Sequence, residues 1–320
     1  MSDTQIDATP KGDASVKADK PSETREFMVF LAKLAIFVFI LRSFIMAPFS
    51  IPSESMLPRL LIGDYLIVTK WNYGYSRYSL PFGLPLFEGR ILGSLPERGD
   101  VTVFKAPPGN QVDYIKRVIG LPGDMIQMRQ GQLFINDKPV PKVRVADMVE
   151  RQTPYMQCFA PEYSKIAADG TPVCSYPRYR ETLPNGRSYY VLDLIPNGPA
   201  DSTEIYTVPE DHLFMMGDNR DNSLDSRFPA QEGAGIGIVP AENLVGRAMI
   251  GVFSTDGSAN WFLPWTWFTA PALCGSVTRS RQTTSALPLP EMHTSSSLPQ
   301  FSGRTSIAAP WWTESSAIGT

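Results

Sequence analysis

Histidine is nearly missing from this chain: His212 and His293 are the only two in 320 residues. A serine hydroxyl is a weak nucleophile until a base takes its proton, so a Ser/His/Asp triad has little to draw on. His212 falls inside the apolar run "DHLFMM", where an imidazole is usually structural, and His293 lies in a Ser/Thr/Pro-rich stretch near the C-terminal end. Cysteine is also sparse, with 3 residues and no metal-ligand spacing. No Gly-rich phosphate loop followed by Lys and Ser/Thr occurs, which leaves nucleotide chemistry unsupported. Neither charge sign dominates: the formal charge is -3 and the pI about 5.6, so there is no basic footprint for nucleic acid. No internal repeat is evident. Long helical periodicities are scarce after residue 47, and proline outnumbers glycine, 29 against 24. Short strands joined by turns follow, and a mainly β body.

What is present begins with one long apolar run, "FMVFLAKLAIFVFILRSFIMA", Phe27 to Ala47. It is about as long as a bilayer-spanning helix needs, and Lys33 and Arg42 lie toward its ends, where they can reach a headgroup region. A cleaved signal peptide or a buried core helix are the other readings. A polar lead of residues 1–26 and the lack of an A-x-A site near "MAPFSIPS" favour an uncleaved anchor. Lys11, Lys17, Lys20 and Arg25 before the run, against Arg42 and Arg59 after it, put the N-terminus on the cytoplasmic side. Cys158 and Cys174 sit in a turn-rich stretch on the other side. In an oxidising compartment they could close a loop worth about 3 kcal/mol, the alternative being two unrelated thiols, with Cys274 left over.

Residues 1–26 read as a disordered tail, 27–47 as the anchor, 48–270 as a β domain outside the membrane, and 271–320 as a low-complexity tail. Strands are expected at 65–71, 100–105, 113–120, 125–129, 133–136, 189–195, 204–208, 212–218 and 246–253. Residues 145–188 carry few apolar runs and resemble an insertion or small second lobe. "WFLPWTWF" at 261–268 is either an interfacial aromatic surface or a core strand.

In "DYIKRVIG" a strand places Tyr114, Lys116 and Val118 on one face and Ile115, Arg117 and Ile119 on the other. Lys116 thereby lies on an otherwise apolar face. Desolvation there favours the neutral amine, which is what a general base must offer. An edge-strand lysine reaching water fits the same periodicity.

"IPSESMLPRLLIGDYLIV", "RGDVTVFK", "DYIKRVIGLPGD" and "GDNRDNSLDSR", followed by "GIVPAENLVGRA", occur in the order and context of bacterial type I signal peptidases. Together these blocks cover most of residues 49–250. The resemblance implies that Ser55 is the nucleophile and Lys116 the general base of a Ser/Lys dyad. Ser53 Oγ with the backbone N–H of Ser55 would form the oxyanion hole. Ser223 would orient the lysine amine, and Asp225 and Arg227 would form a supporting ion pair. Phe49, Ile51, Met56, Leu60, Tyr114 and Ile115 would line shallow apolar pockets for small side chains. Taken alone, each of these six is an ordinary core residue. The substrates implied are secretory preproteins emerging from the translocation machinery, cut after an A-x-A-like site and bound by strand addition. The setting implied is a single pass of the bacterial inner membrane, with membrane lipid as the other partner and no cofactor, metal or nucleic acid. Glu54 and Arg59 stand where the family has Gly or a small residue, and Thr, and "PAQEGAGIG" (229–237) lengthens the loop after Arg227. Other readings are a peptidase devoted to pilin or conjugation precursors, a self-cleaving repressor-type Ser/Lys protein, and a non-enzymatic anchored binding module.

Overall fold

In the computed structural model residues 23–80, 83, 88–153 and 156–254 are described. The two tails, "WFLPWTWF", Cys274 and His293 fall outside them, apart from Glu23 to Glu26 at the end of the first. The chain opens with α1 (Glu23–Ile40), passes through a short π-helical segment, Leu41–Ile45, and enters β1 (Met46–Ser50). Met46 and Ala47, read from the sequence as the end of the anchor, therefore already belong to a sheet. Every residue of α1 is exposed, Phe27, Phe30, Ile36 and Phe37 among them. A helix that is apolar all round and covered by no protein among the described residues suits a lipid environment. At 23 residues, Glu23–Ile45 is long enough to cross a membrane.

Beyond β1 come β2 (Asp64–Thr69), a small hairpin of β3 (Tyr75–Ser76) and β4 (Arg90–Ile91), then β5 (Val101–Lys105) and β6 (Asp113–Gly120). Next follow β7 (Met125–Arg129), β8 (Gln132–Ile135), β9 (Lys138–Pro139), β10 (Lys142–Arg151), β11 (Ser164–Ile166), β12 (Pro172–Thr182) and β13 (Ser188–Leu192). The last are β14 (Tyr206–Thr207), β15 (His212–Met216), β16 (Val239–Pro240) and β17 (Leu244–Ser254). The fold is mainly β, with antiparallel sheets behind one apolar helix.

The central sheet has seven strands in the order β1-β2-β17-β5-β6-β15-β16. Its two faces carry separate cores. Ile51, Met56, Leu66, Val68, Val103 and Ile115 pack in one cluster, and Phe104, Val118, Leu213, Met215 and Val239 in another. β6 is buried on both faces from Ile115 onward, which is why an arginine inside it, Arg117, is as buried as its lysine neighbour.

Residues 145–188, expected as an insertion or small second lobe, carry paired strands. β10 and β12 pair over their length, β11 and β13 flank β12, and a bulge between Val145 and Met148 interrupts the ladder. Cys158 and Cys174 are joined by a disulfide, their Cα atoms 5.4 Å apart. The lobe leans on the central domain through backbone bonds, Leu192 N–H to Asp218 O and Arg220 N–H to Leu192 O, each 2.9 Å.

Candidate active site

Between β1 and β2 the chain makes an excursion closed at its neck by Ile51 N–H to Asp64 O and Gly63 N–H to Ile51 O, both 2.9 Å. Gly63 takes φ of 87°, a conformation costly for residues with a Cβ. At the top of the excursion Glu54–Met56 forms a single 3-10 turn. Met56 and Leu57, directly after Ser55, anchor this turn in two different clusters, and Ser55 itself is 6 % exposed.

A second segment holds the turn from the other side. Asn219 donates its backbone N–H to Ser55 O at 3.1 Å and its side-chain amide to Glu54 O at 3.3 Å. Asn222 Nδ2 donates to Glu54 Oε2 at 2.9 Å. Gly217 is required by closeness: a Cβ there would stand 2.6 Å from Ser55 O and 2.2 Å from Ser223 Oγ.

β6 delivers the lysine. Lys116 is 4 % exposed, and its Nζ donates to Ser55 Oγ at 2.6 Å. Ser53 Oγ lies 3.3 Å from Ser55 Oγ on the open side. Burial pulls the Lys116 amine down from its ordinary range to about 8, with Asp225 and Asp218 pulling the other way and Arg227 adding to the drop. Both carboxylates are already committed. Asp225 binds Arg227 through two contacts of 2.9 and 3.0 Å and also accepts Gly217 N–H at 3.0 Å. Asp218 binds Arg117 through two contacts of 2.7 and 2.5 Å. Each pair is bidentate, the strongest geometry available to a guanidinium and a carboxylate. Burial opposes the Asp225 charge, but Arg227 and the backbone donors hold its carboxyl below the usual range. The pull of Asp225 and Asp218 on the Lys116 proton is outweighed by burial, and Arg227 adds to the drop.

The arrangement brings Ser53, Ser55, Lys116, Asp225 and Arg227 together. Ser223 is buried beside Gly217, but its hydroxyl has no hydrogen-bond partner among the described residues, so the bond to the lysine amine implied by the resemblance is not formed. Phe49, Ile51, Met56, Leu60 and Ile115 share one cluster, whereas Tyr114 packs against the opposite one beside Phe104. Tyr114 stays near the site all the same, with Lys116 Nζ 5.5 Å from its ring centre. His212 contacts the Glu210 carbonyl through Nδ1 and supplies no base to Ser55.

Neither Arg117–Asp218 nor the buried group Arg220, Glu181 and Tyr189 has a local signature in the sequence. In that group Glu181 Oε2 accepts from Arg220 at 2.5 Å and from Tyr189 at 2.7 Å. These ties join β12 and β13 of the lobe to the segment that holds Ser55.

A serine hydroxyl bonded to a buried amine poised to be neutral, with histidine elsewhere, has the parts of a lysine-assisted serine hydrolase. Comparison with known proteins gives a family. Residues 24–253 match the family described as signal peptidase, peptidase S26. Signal peptidase I of Rickettsia typhi (strain ATCC VR-144 / Wilmington) is 39% identical over 72% of this chain and 80% of its own. Signal peptidase I of Rickettsia akari (strain Hartford) is 40% identical over 70% of this chain and 76% of its own. A crystal structure of a signal peptidase I from Enterococcus faecalis V583 is 23% identical, covers 49% of this chain and 98% of that one, and has a TM-score of 0.26. This chain belongs to the S26 signal peptidase family.

Proposed function

We propose that this protein is a membrane-anchored serine endopeptidase that removes N-terminal signal peptides from secreted preproteins, cutting after an A-x-A-like site with Ser55 as nucleophile and Lys116 as general base. The observation that carries the roles is the 2.6 Å contact between Ser55 Oγ and a lysine amine that burial has brought to about 8.

The chemistry runs in two halves. Neutral Lys116 takes the Ser55 proton as Oγ bonds to the scissile carbonyl carbon, and the oxyanion that forms is received by Ser53 Oγ–H and the Ser55 N–H. The C–N bond then breaks, and the Lys116 ammonium protonates the leaving amine of the mature protein. A water then bonds to the acyl carbon as the same amine takes its proton, the C–Oγ bond breaks, and that proton passes to Ser55 Oγ, which releases the signal peptide as a carboxylic acid. Arg227, paired with Asp225, supports this by lowering the Lys116 amine and offsetting part of the pull of Asp225 and Asp218.

Phe49, Ile51, Met56, Leu60 and Ile115 make an already filled apolar wall. Such a wall leaves shallow room and so suits small side chains before the cut. Among the described residues β6 pairs with β15 only from Arg117 to Gly120, which leaves the Asp113–Lys116 edge open for an added strand of substrate. The N-terminus is cytoplasmic and the β domain lies outside the bacterial inner membrane, where preproteins emerge from the translocation machinery. β1 begins directly after the apolar helix segment, which keeps Ser55 near the lipid surface.

The test is cleavage of a purified preprotein carrying an Ala-x-Ala site by wild type, Ser55→Ala and Lys116→Ala, each checked for folding. Loss of cutting in both variants is expected. Cutting retained by either would remove that residue from its role, and no cutting by wild type would return weight to a binding module.

A further inference from the structure

The lengthened loop after Arg227 builds something. Together with the β5–β6 turn it walls a shallow open cleft of about 70 Å³, lined by Ala106, Asn110, Val112, Tyr114, Glu232 and Ile236 among others. Both walls are tied down. The loop is closed on itself by Gln231 N–H to Gly235 O and Gly237 N–H to Phe228 O, at 2.9 and 3.0 Å. The turn is pinned by Asn243 Nδ2, which donates to Lys105 O at 2.8 Å and to Asn110 Oδ1 at 2.6 Å. Ile236 sits in the core cluster against which Ala106 and Tyr114 pack, so the floor of the cleft is continuous with the domain interior.

Two observations say what the cleft faces. Tyr114 belongs to both places: it lines the cleft, and its ring lies 5.5 Å from Lys116 Nζ. The cleft also lies at the helix end of the sheet. Met46 pairs with Thr69, Thr69 with Arg247, Arg247 with Thr102, and Thr102 with Lys116, so Lys116 shares a cross-strand row with the first strand residue after the apolar segment. Four antiparallel steps separate β1 from β6, so the two run in the same sense, and stepping back from Lys116 to Tyr114 moves toward the end where the helix joins. A substrate held in the membrane by its signal peptide reaches Ser55 from that end.

We propose that this cleft is a subsite for the signal-peptide side of the substrate, receiving the side chain about four to six residues before the cut, and that Glu232 makes it favour a basic over an acidic side chain. The span follows from a strand rise of about 3.3 Å per residue, with Tyr114 two residues from Lys116 and the cleft beyond it. The charge preference follows from the rim. Glu232 forms no ion pair among the described residues, and its Oε1 stands 3.7 Å from where a Cβ on Gly109 would be, over the turn. Lys105, the cation at the end of β5, is occupied by Asp113 and the Gln111 carbonyl. This subsite rests on the peptidase reading above.

The test uses the full chain in detergent micelles with one preprotein carrying Lys, Ala or Asp at the fourth, fifth or sixth position before the cut. Wild type, Glu232→Gln and Glu232→Lys are compared by the ratio of kcat/KM for the Lys and Asp substrates, which cancels any general loss of folding. Wild type is expected to favour Lys by about threefold to tenfold at one of these positions, mainly through KM. Glu232→Gln should shrink the ratio and Glu232→Lys should bring it below one. A ratio of one at all three positions, or a preference that ignores the Glu232 variants, overturns the subsite. Charge-blind cutting that Ser55→Ala abolishes overturns the subsite alone, whereas cutting that survives Ser55→Ala, or no cutting by wild type, takes the peptidase reading down with it.

Discussion

Two buried lysines make an instructive pair. Lys70 and Lys116 are equally hidden, 5% and 4% exposed, and burial lowers each amine to about 8. Lys116 reaches a hydroxyl, Ser55 Oγ, whereas Lys70 Nζ donates to a backbone carbonyl, Ser79 O, at 2.5 Å. A carbonyl has no proton to give, so the Lys70 amine is a structural donor whatever its pKa. A lowered pKa makes a lysine available as a base; the atom in front of it decides whether it can act as one.

The largest expected effect separates the two directly. Lys116→Met and Ser55→Ala should each cut preprotein turnover by about a factor of ten thousand or more, while Lys70→Met stays within about threefold of wild type in the same assay. Ser53→Ala should follow, losing on the order of a hundredfold to a thousandfold in kcat with little change in KM, as expected for a donor to an oxyanion. Asp225→Asn leaves Arg227 buried without its counter-charge and should destabilise the fold by about 3–5 kcal/mol in denaturant unfolding. Lys116→Met should act in the opposite direction. Folding must take this amine out of water and push its pKa down, so below pH 8 the wild type carries a penalty that the variant lacks. The variant should unfold at higher denaturant, gaining about 1–3 kcal/mol near pH 7, an advantage that shrinks as pH rises from about 8 toward the unfolded pKa near 10.4.

Much of the central domain was readable because its strands are short apolar runs between turn residues. The expected boundaries of β6 and β7 coincide with the observed ones. The lobe was harder. "KVRVADMVER" loses its alternation at the bulge after Val145, and "PVCSYPRYRET" carries two prolines and two arginines, so neither looks like a ten- or eleven-residue strand. At the site, Lys116 stood out as a charge on an apolar face, and family motifs pointed to Ser53, Ser55, Asp225 and Arg227. Arg117 did not stand out. Its partner Asp218 lies 101 positions away, and only tertiary packing shows that both faces of β6 are covered. Glu181 and Arg220 escaped for the same reason, since charges in a hydrophilic stretch read as solvated until the fold closes over them.

The pH dependence of kcat/KM for preprotein cleavage reads the protonation state of Lys116 itself. With neutral Lys116 as the base, log kcat/KM should rise by about one per pH unit in acid and level off near pH 8. A profile flat from about pH 6 to 9, or one that keeps climbing toward the ordinary lysine range near 10.4, would contradict a base made available by burial.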